Sequence, residues 1–285
     1  MANSEFLDFK KSLIKLGFDI ELSATQILDK TIELFFSYIQ NTEEIPKIFQ
    51  KEISSLLPSL QPEMSTFEKL NEILNEIKGP WTKSNLNLCL KKLREDIIQN
   101  EKGSIKRLIE IMRTENIATI VTISYSKLVF NSIIKYNKLF DLERLIISAS
   151  SPKFEGVKLA NDLKLKIPNI ELILVDDSRL ANYLMKYQEK GVVLIGCDSI
   201  FHDESVLNKS GSFSLAIMSK HFEIPYYVIG TKFKIRNVNY SNKMIRNQEL
   251  QELPWYNNSI KDGKMIIENK LFDHIPRDLI TKIFY

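Results

Sequence analysis

The hydrophobic pattern of this chain changes period near residue 117, and that change limits the possible folds more than any other feature. From there on, short apolar runs rich in β-branched residues, at 117–123, 145–149, 171–175, 192–196 and 226–229, alternate with segments of helical spacing at 126–138, 156–165, 178–188 and 212–222. Runs of four to eight apolar residues, bounded by turn residues and separated by helices, are the pattern of strands buried on both faces. The expected architecture is α/β, with a parallel sheet of Rossmann-like, doubly wound type. Right-handed crossovers then bring the C-terminal end of every strand to one edge, where such sheets bind ligands.

Before residue 117 the pattern is helical. Leu28, Ile32, Phe35 and Ile39 step by four, three and four, and Phe67, Leu70, Ile73, Leu74 and Ile77 share a face behind the candidate cap Ser65-Thr66. Leu90, Leu93, Ile97, Leu108 and Met112 continue a stripe through 85–113, with a break expected near Lys102-Gly103-Ser104. A chain of 285 residues holds one large domain or two modest ones. We expect an all-helical N-terminal domain at 1–112 and a Rossmann-like α/β domain at 113–285. The segment after about residue 230 is less regular.

Residues at the predicted strand ends are the candidates for chemistry: Thr122, Ser124 and Ser126 after the first strand, Ser151 after the second, and Asp198 after the fourth. Asp198 suits acceptance of hydrogen bonds from sugar hydroxyls or proton transfer as acid and base. Beyond it, Asn208-Lys209-Ser210-Gly211-Ser212 resembles a basic loop opening a helix, which gathers a cation and free backbone N–H groups for an anion. Structural roles compete at each position. Asp198 also suits a turn cap or a partner for Lys209, Ser210 or Ser212 a cap of the following helix, and Ser124 or Ser126 a cap of the helix after the first strand.

The stretch 196–235 resembles a known family. Gly196-Cys197-Asp198-Ser199-Ile200, then Leu207-Asn208-Lys209-Ser210-Gly211-Ser212, a helix, Pro225-Tyr226-Tyr227-Val228 and Phe233-Lys234-Ile235 are similar to the pattern G-A-[DE]-x-I, I-N-K-x-G-[ST], P-x-Y-V, F-K-[FI]. That pattern is shared by the alpha, beta and delta regulatory subunits of eukaryotic translation initiation factor 2B, the methylthioribose-1-phosphate isomerases and the ribose-1,5-bisphosphate isomerases. Phe272 to Thr281 resembles a second family segment, F-D-x-[TI]-P-x-[ED]-L-I-T. The resemblance implies a catalytic acid/base role for Asp198 in the isomerases. It also implies a catalytic Cys where this chain has Ser124, within Thr122-Ile123-Ser124-Tyr125-Ser126. Three loops in which the isomerases carry Arg read here as Leu22-Ser23-Ala24, Gln61-Pro62-Glu63 and Ala149-Ser150-Ser151-Pro152. Arg is the residue suited to bidentate phosphate recognition, and a Ser hydroxyl ionises far less readily than a thiol.

These departures favour a regulatory-subunit-like, oligomeric binding protein over its alternative, an isomerase of a phosphorylated pentose. The implied partners are a second copy of the chain, as homodimer or higher oligomer, and translation initiation factor subunits. The implied ligand is a sugar phosphate or nucleoside monophosphate. Tyr226-Tyr227-Val228, Phe233 and Ile283-Phe284-Tyr285 are candidate apolar surface for self-association. No metal and no cofactor is expected, since two Cys and three His are scattered without ligand spacing. Residues 1–115 carry 16 basic and 18 acidic side chains, and 116–285 carry 23 and 18. That mild asymmetry suits an anionic ligand and falls short of a nucleic-acid footprint. Trp81 and Trp255 lie in no pattern of base-stacking residues. With no apolar run of membrane-spanning length and no signal-like start at Met1-Ala2-Asn3, a cytoplasmic protein is expected.

Overall fold

A computed structural model describes residues 4–19, 22–42, 44–245 and 268–285. Helices α1 (Ser4–Gly17), α2 (Ala24–Asn41), α3 (Lys47–Leu56) and α4 (Thr66–Asn75) pack with the first half of α5 (Lys83–Thr114). Their core is aromatic: Phe9, Phe35, Tyr38 and Phe49 meet ring to ring, with Tyr38 and Phe49 stacked at 4.5 Å. The 4-3-4 stripe of α2 is buried, and the helix opens on a reciprocal capping box between Ser23 and Gln26. Trp81 belongs to this core, edge-on to Phe49. Trp255 lies outside the described residues.

The parallel sheet contains β1 (Thr119–Thr122), β2 (Arg144–Ser148), β3 (Glu171–Val175), β4 (Gly191–Ile195), β7 (Tyr226–Ile229) and β9 (Lys282–Phe284), in the order β3-β2-β1-β4-β7-β9. Every pairing in it is parallel. Alternation along the strands supplies two cores. Ile120, Leu145, Ile147, Val192, Leu194 and Tyr227 face one layer, made by the end of α5 with α6 (Lys127–Leu139) and α7 (Glu155–Lys166). Val121, Ile146, Val193, Ile195, Tyr226 and Val228 face the other, made by α8 (Leu180–Lys186) and α9 (Ser212–His221). Strand order reverses between β1 and β4, which opens a crevice at their C-terminal ends.

Three expectations are corrected. Helix α5 is continuous for 32 residues through Lys102-Gly103-Ser104. One helical Gly costs only about 1 kcal/mol, and here both cores hold the helix: Leu86 to Ile97 sit in the helical core and Ile105 to Met112 in the sheet core. Second, Asn208 and Lys209 are not in a loop. They end strand β6 (Val206–Lys209), which pairs antiparallel with β5 (Ser199–Ile200) and β8 (Phe272–Ile275). This small sheet contributes Leu207 and Phe272 to the helical core, joined by Phe201 just after β5. Third, the apolar surface expected for self-association is largely interior. Tyr226, Tyr227 and Val228 are buried, and the tail forms β9 beside β7 with Phe284 against Tyr227. Phe233 is half-buried against the helical core.

Candidate functional site

The crevice between β1 and β4 is a narrow cleft open to solvent, with a cavity volume of about 50 Å³. Its floor is built by tight local geometry. Ser124, one residue past Ile123, adopts a left-handed backbone with φ of 65°, a conformation that L residues other than Gly rarely take. Its N–H donates to Ser150 Oγ at 2.7 Å, and Ser150 Oγ in turn donates to the Ser148 carbonyl at 3.0 Å. The Asp177 carboxylate, at the end of β3, accepts from the Ser150 and Ser151 N–H groups at 2.8 and 2.7 Å and from the Ser148 hydroxyl. The ends of β1, β2 and β3 are thus tied into one rigid edge.

Two glycines let the walls approach. A Cβ at Gly196 would stand 2.6 Å from Ser126 Oγ, so the β4 exit presses directly on the start of α6. Ser126 caps that helix by accepting from the Val129 N–H. A Cβ at Gly156 would lie 1.7 Å from the Ser148 carbonyl oxygen.

Asp198 is 7% exposed and lines the cleft. Its backbone is fixed on both sides: the N–H donates to the Leu207 carbonyl at 2.7 Å, and the carbonyl accepts from Ser65 of the helical layer. Among the described residues its carboxylate has no hydrogen bond and no ion pair. Burial raises the Asp198 pKa, the ammonium groups of Lys234 and Lys209 oppose the rise, and Glu63 adds to it. The carboxylate therefore neither caps a turn nor salt-bridges Lys209. It is a desolvated acceptor facing a cavity.

Lys209 instead pairs with Glu155 at 3.5 Å and lies 4.6 Å from the Phe272 ring centroid. Asn208 donates to Ser212 Oγ at 2.8 Å, and Ser212 Oγ donates to the Lys209 carbonyl at 2.7 Å, which aligns the β6 end with α9. Neither Ser210 nor Ser212 caps α9. Gly211 occupies that place with φ of 94°, and Asp273 of β8 accepts from the Gly211 and Phe213 N–H groups at 2.8 and 3.0 Å. The expected cradle of free N–H groups there is occupied by the chain's own carboxylate.

Ser124, Ser126, Asp198, Asn208 and Lys209 are thus gathered on one cleft, while Thr122 and Ser151 are not among its lining residues. Thr122 is fully buried with its hydroxyl unpartnered, and Ser151 is exposed beside Asp177. Of the three loops compared with Arg-bearing ones, Leu22-Ser23-Ala24 lines the cleft and brings the α2 N-terminus to it. The Gln61-Pro62-Glu63 segment serves the fold: Gln61 donates to the Asp19 carbonyl, Arg236 to Pro62, and Ser199 to Glu63.

Sequence reasoning missed three further cations that line the cleft: Lys127, Lys158 and Lys234. Lys127 pairs with Asp29 at 3.2 Å, Lys158 lies 5.4 Å from the Tyr125 ring, and the buried Lys234 donates to the Cys197 carbonyl. Lys234 was visible as the Lys of Phe233-Lys234-Ile235. Lys158 carries no such mark in the sequence; the fold brings it over the cleft in the first turn of α7. Four lysines therefore face two carboxylates, Glu155 and Asp198, a net cationic lining. The thiol in this lining is Cys197, fully buried, with its pKa pushed up to about 11 mainly by desolvation.

Comparison with known proteins identifies the family. The model of the initiation factor 2 subunit family matches residues 20–284, and the chain belongs to that family. A Pyrococcus furiosus protein named as eIF-2B subunit 2-like is 29% identical over 168 residues, covering 58% of this chain and 56% of that one. The chain thus spans little more than half the length of that relative. A Bacillus pumilus methylthioribose-1-phosphate isomerase is 24% identical over 275 residues, 95% of this chain and 77% of that one. The fold is that of the Pyrococcus horikoshii eIF-2B crystal structure, with a TM-score of 0.78 at 20% identity over 99% of this chain and 95% of that one. It is also the fold seen in the tetrameric eIF2B-beta2-delta2 complex of C. thermophilum, with a TM-score of 0.70 at 16% identity over 95% and 90%. Both kinds of name, initiation factor and isomerase, occur among the relatives. No helix among the described residues is long and apolar enough to cross a membrane.

Proposed function

We propose that this chain is a regulatory-subunit-like binding protein of its family, which holds a phosphorylated small molecule in the β1–β4 cleft without isomerising it. One observation carries the choice: among the described residues, no thiol that ionises near neutral pH lines the cleft. The resemblance assigns the isomerases a catalytic Cys where this chain has Ser124, and Ser124 spends its N–H on Ser150, with no His among the described residues that line the cleft to activate its hydroxyl. Cys197 cannot substitute, because a thiol with a pKa of about 11 is almost wholly protonated at neutral pH.

The binding half of the proposal rests on charge and desolvation. Lys158, Lys209 and Lys234 supply positive potential for a phosphate, and the α2 and α6 N-termini at the rim add to it. The Asp198 carboxylate is placed to accept hydrogen bonds from sugar hydroxyls. Without an Arg fork, phosphate affinity is expected to be modest. Self-association and contact with initiation-factor subunits belong to the same reading, supported by the assembled state of the C. thermophilum relative.

Calorimetric titration with inorganic phosphate and ribose 5-phosphate tests it. Saturable binding weakened in Lys209→Ala is expected, with ribose 5-phosphate the tighter ligand. Absence of binding at millimolar ligand, or an affinity indifferent to Lys209→Ala, would remove the cleft as an anion site.

A further inference from the structure

The cleft in this conformation is too narrow for a whole phosphorylated sugar. A buried water takes about 10–15 Å³ of such a cavity, so about 50 Å³ holds roughly four waters. A phosphate group fits that space, and a pentose attached to it does not. Yet the Asp198 carboxylate, which has no hydrogen bond among the described residues, lies inside the cleft and meets sugar hydroxyls only if the sugar enters. One wall has to move.

The sheet wall is the fixed one. Ser124, Ser148, Ser150 and Ser151 are tied to one another and to Asp177, and Gly156 and Gly196 are in close contact behind them. The opposite wall is the start of α2, Leu22 to Gln26, which belongs to the helical layer. That layer is anchored around the start of α4. Ser65 donates to the Phe233 carbonyl at 3.1 Å, Ser199 to the Glu63 carbonyl at 3.0 Å, and Arg236 to the Pro62 carbonyl at 2.7 Å and to Glu68. The cleft mouth is fastened differently. Lys127, the first residue of α6, pairs with Asp29 of α2 at 3.2 Å, and the two side chains are 42% and 36% exposed. An ion pair so open to water shifts an equilibrium by at most about fivefold, the equivalent of about 1 kcal/mol. Glu101 of α5 also lies within the field of Lys127, so the ammonium keeps a carboxylate nearby when Asp29 lets go. A wall held by several hydrogen bonds at one end and by a solvated ion pair at the other opens at the ion pair.

We propose that the Lys127–Asp29 ion pair is a latch that sets the size of ligand the cleft admits: closed, it passes inorganic phosphate, and open, it admits a phosphorylated sugar. This inference rests on the cleft binding phosphate. A sugar phosphate then binds only the open fraction of molecules, and its affinity is lowered by that fraction, whereas inorganic phosphate binds both forms. Lys127 and Asp29 are thus specificity-determining residues.

The test is calorimetric titration of the chain with inorganic phosphate and with ribose 5-phosphate, at mildly alkaline pH where both are dianions. The readout is the ratio of the two affinities. Asp29→Asn frees a cation and Lys127→Gln removes one, so the affinities for both ligands should rise in the first variant and fall in the second. The ratio should nevertheless move the same way in both, toward ribose 5-phosphate by up to about fivefold, because each variant releases the latch. Asp29→Glu, which keeps the pair, should keep the wild-type ratio. Raising ionic strength should move the wild-type ratio in the direction of the two latch variants and leave theirs unchanged. Thermal unfolding of each variant reports whether its fold is intact. A ratio unchanged in Asp29→Asn and Lys127→Gln, or raised in only one of them, overturns the latch and leaves the phosphate site standing. No phosphate binding by the wild-type chain removes the cleft reading and the latch with it.

Discussion

Replacing Glu155 by Gln should tighten anion binding and weaken the fold at the same time. Glu155 opens α7 and pairs with Lys209 at 3.5 Å, and the two side chains are only 17% and 13% exposed. In the ligand-free protein Glu155 therefore does what a bound phosphate would do: it neutralises Lys209. It also places a negative charge on the cleft wall. A unit charge about 6 Å from a phosphate repels it by about 3 kcal/mol at an effective dielectric constant near 20, and by under ~1 kcal/mol in bulk water. Because the cleft opens to solvent, the expected gain is near 1 kcal/mol, or roughly fivefold in affinity. The same change strands the Lys209 ammonium and removes an acid from a helix N-terminus, costing about 2 kcal/mol of stability. Calorimetry with inorganic phosphate at low salt should show the gain, shrinking as ionic strength rises. Thermal unfolding should show a less stable free protein whose midpoint rises more on adding phosphate than that of wild type. Phosphate affinity unchanged or weakened in Glu155→Gln would mean that Lys209 and Glu155 form a structural pair remote from any anion.

Asp198→Asn should stabilise the free protein by about 1 kcal/mol or more, because it replaces a buried carboxylate that lacks hydrogen bonds. Since the folded-state pKa of Asp198 lies above 3.8, ionisation costs stability as pH rises through that raised value. The variant's advantage in thermal unfolding should therefore be full at neutral pH and fade as pH falls toward 3.8. The same variant should lose affinity for ribose 5-phosphate more than for inorganic phosphate, since only the sugar offers hydroxyls; an equal loss for both would place Asp198 away from the sugar. Gly156→Ala should be severely destabilising, because its Cβ would collide with the Ser148 carbonyl and displace the Ser150 support of Ser124; a soluble variant with wild-type midpoint would refute that packing. Asp273→Ala should uncap α9 and cost about 1–2 kcal/mol in denaturant unfolding, with little change if water replaces the carboxylate well.

The period change near residue 117 made the main sheet legible, because five of its six strands are apolar by themselves and alternate with helices that carry their own stripe. What stayed hidden depends on pairing between distant segments. Strand β6 exists because Asn208 and Lys209 meet Asp273 and Phe272, more than sixty residues away, and nothing local marks Asn-Lys-Ser-Gly as the end of a strand. Strand β9 reads as a loose apolar tail until it is laid beside β7. The cleft residues of the strand ends followed from topology. Lys158 and Glu155 did not, because a charged first turn of a helix looks like any solvated surface until Gly156 is seen to press α7 against the Ser148 carbonyl. The continuous α5 was misjudged at Gly103 because local propensity was weighed without the two cores that hold the helix from either side.

The central claim, binding without isomerisation, is tested most directly by phosphorus NMR of methylthioribose-1-phosphate mixed with the purified chain. The account predicts a substrate resonance that broadens or shifts with protein concentration, less so in Lys209→Ala, and no product resonance however long the mixture stands. Steady conversion to the ketose phosphate that disappears in Asp198→Asn would contradict it and identify the chain as an isomerase working without the thiol. A resonance indifferent to the protein would contradict it from the other side.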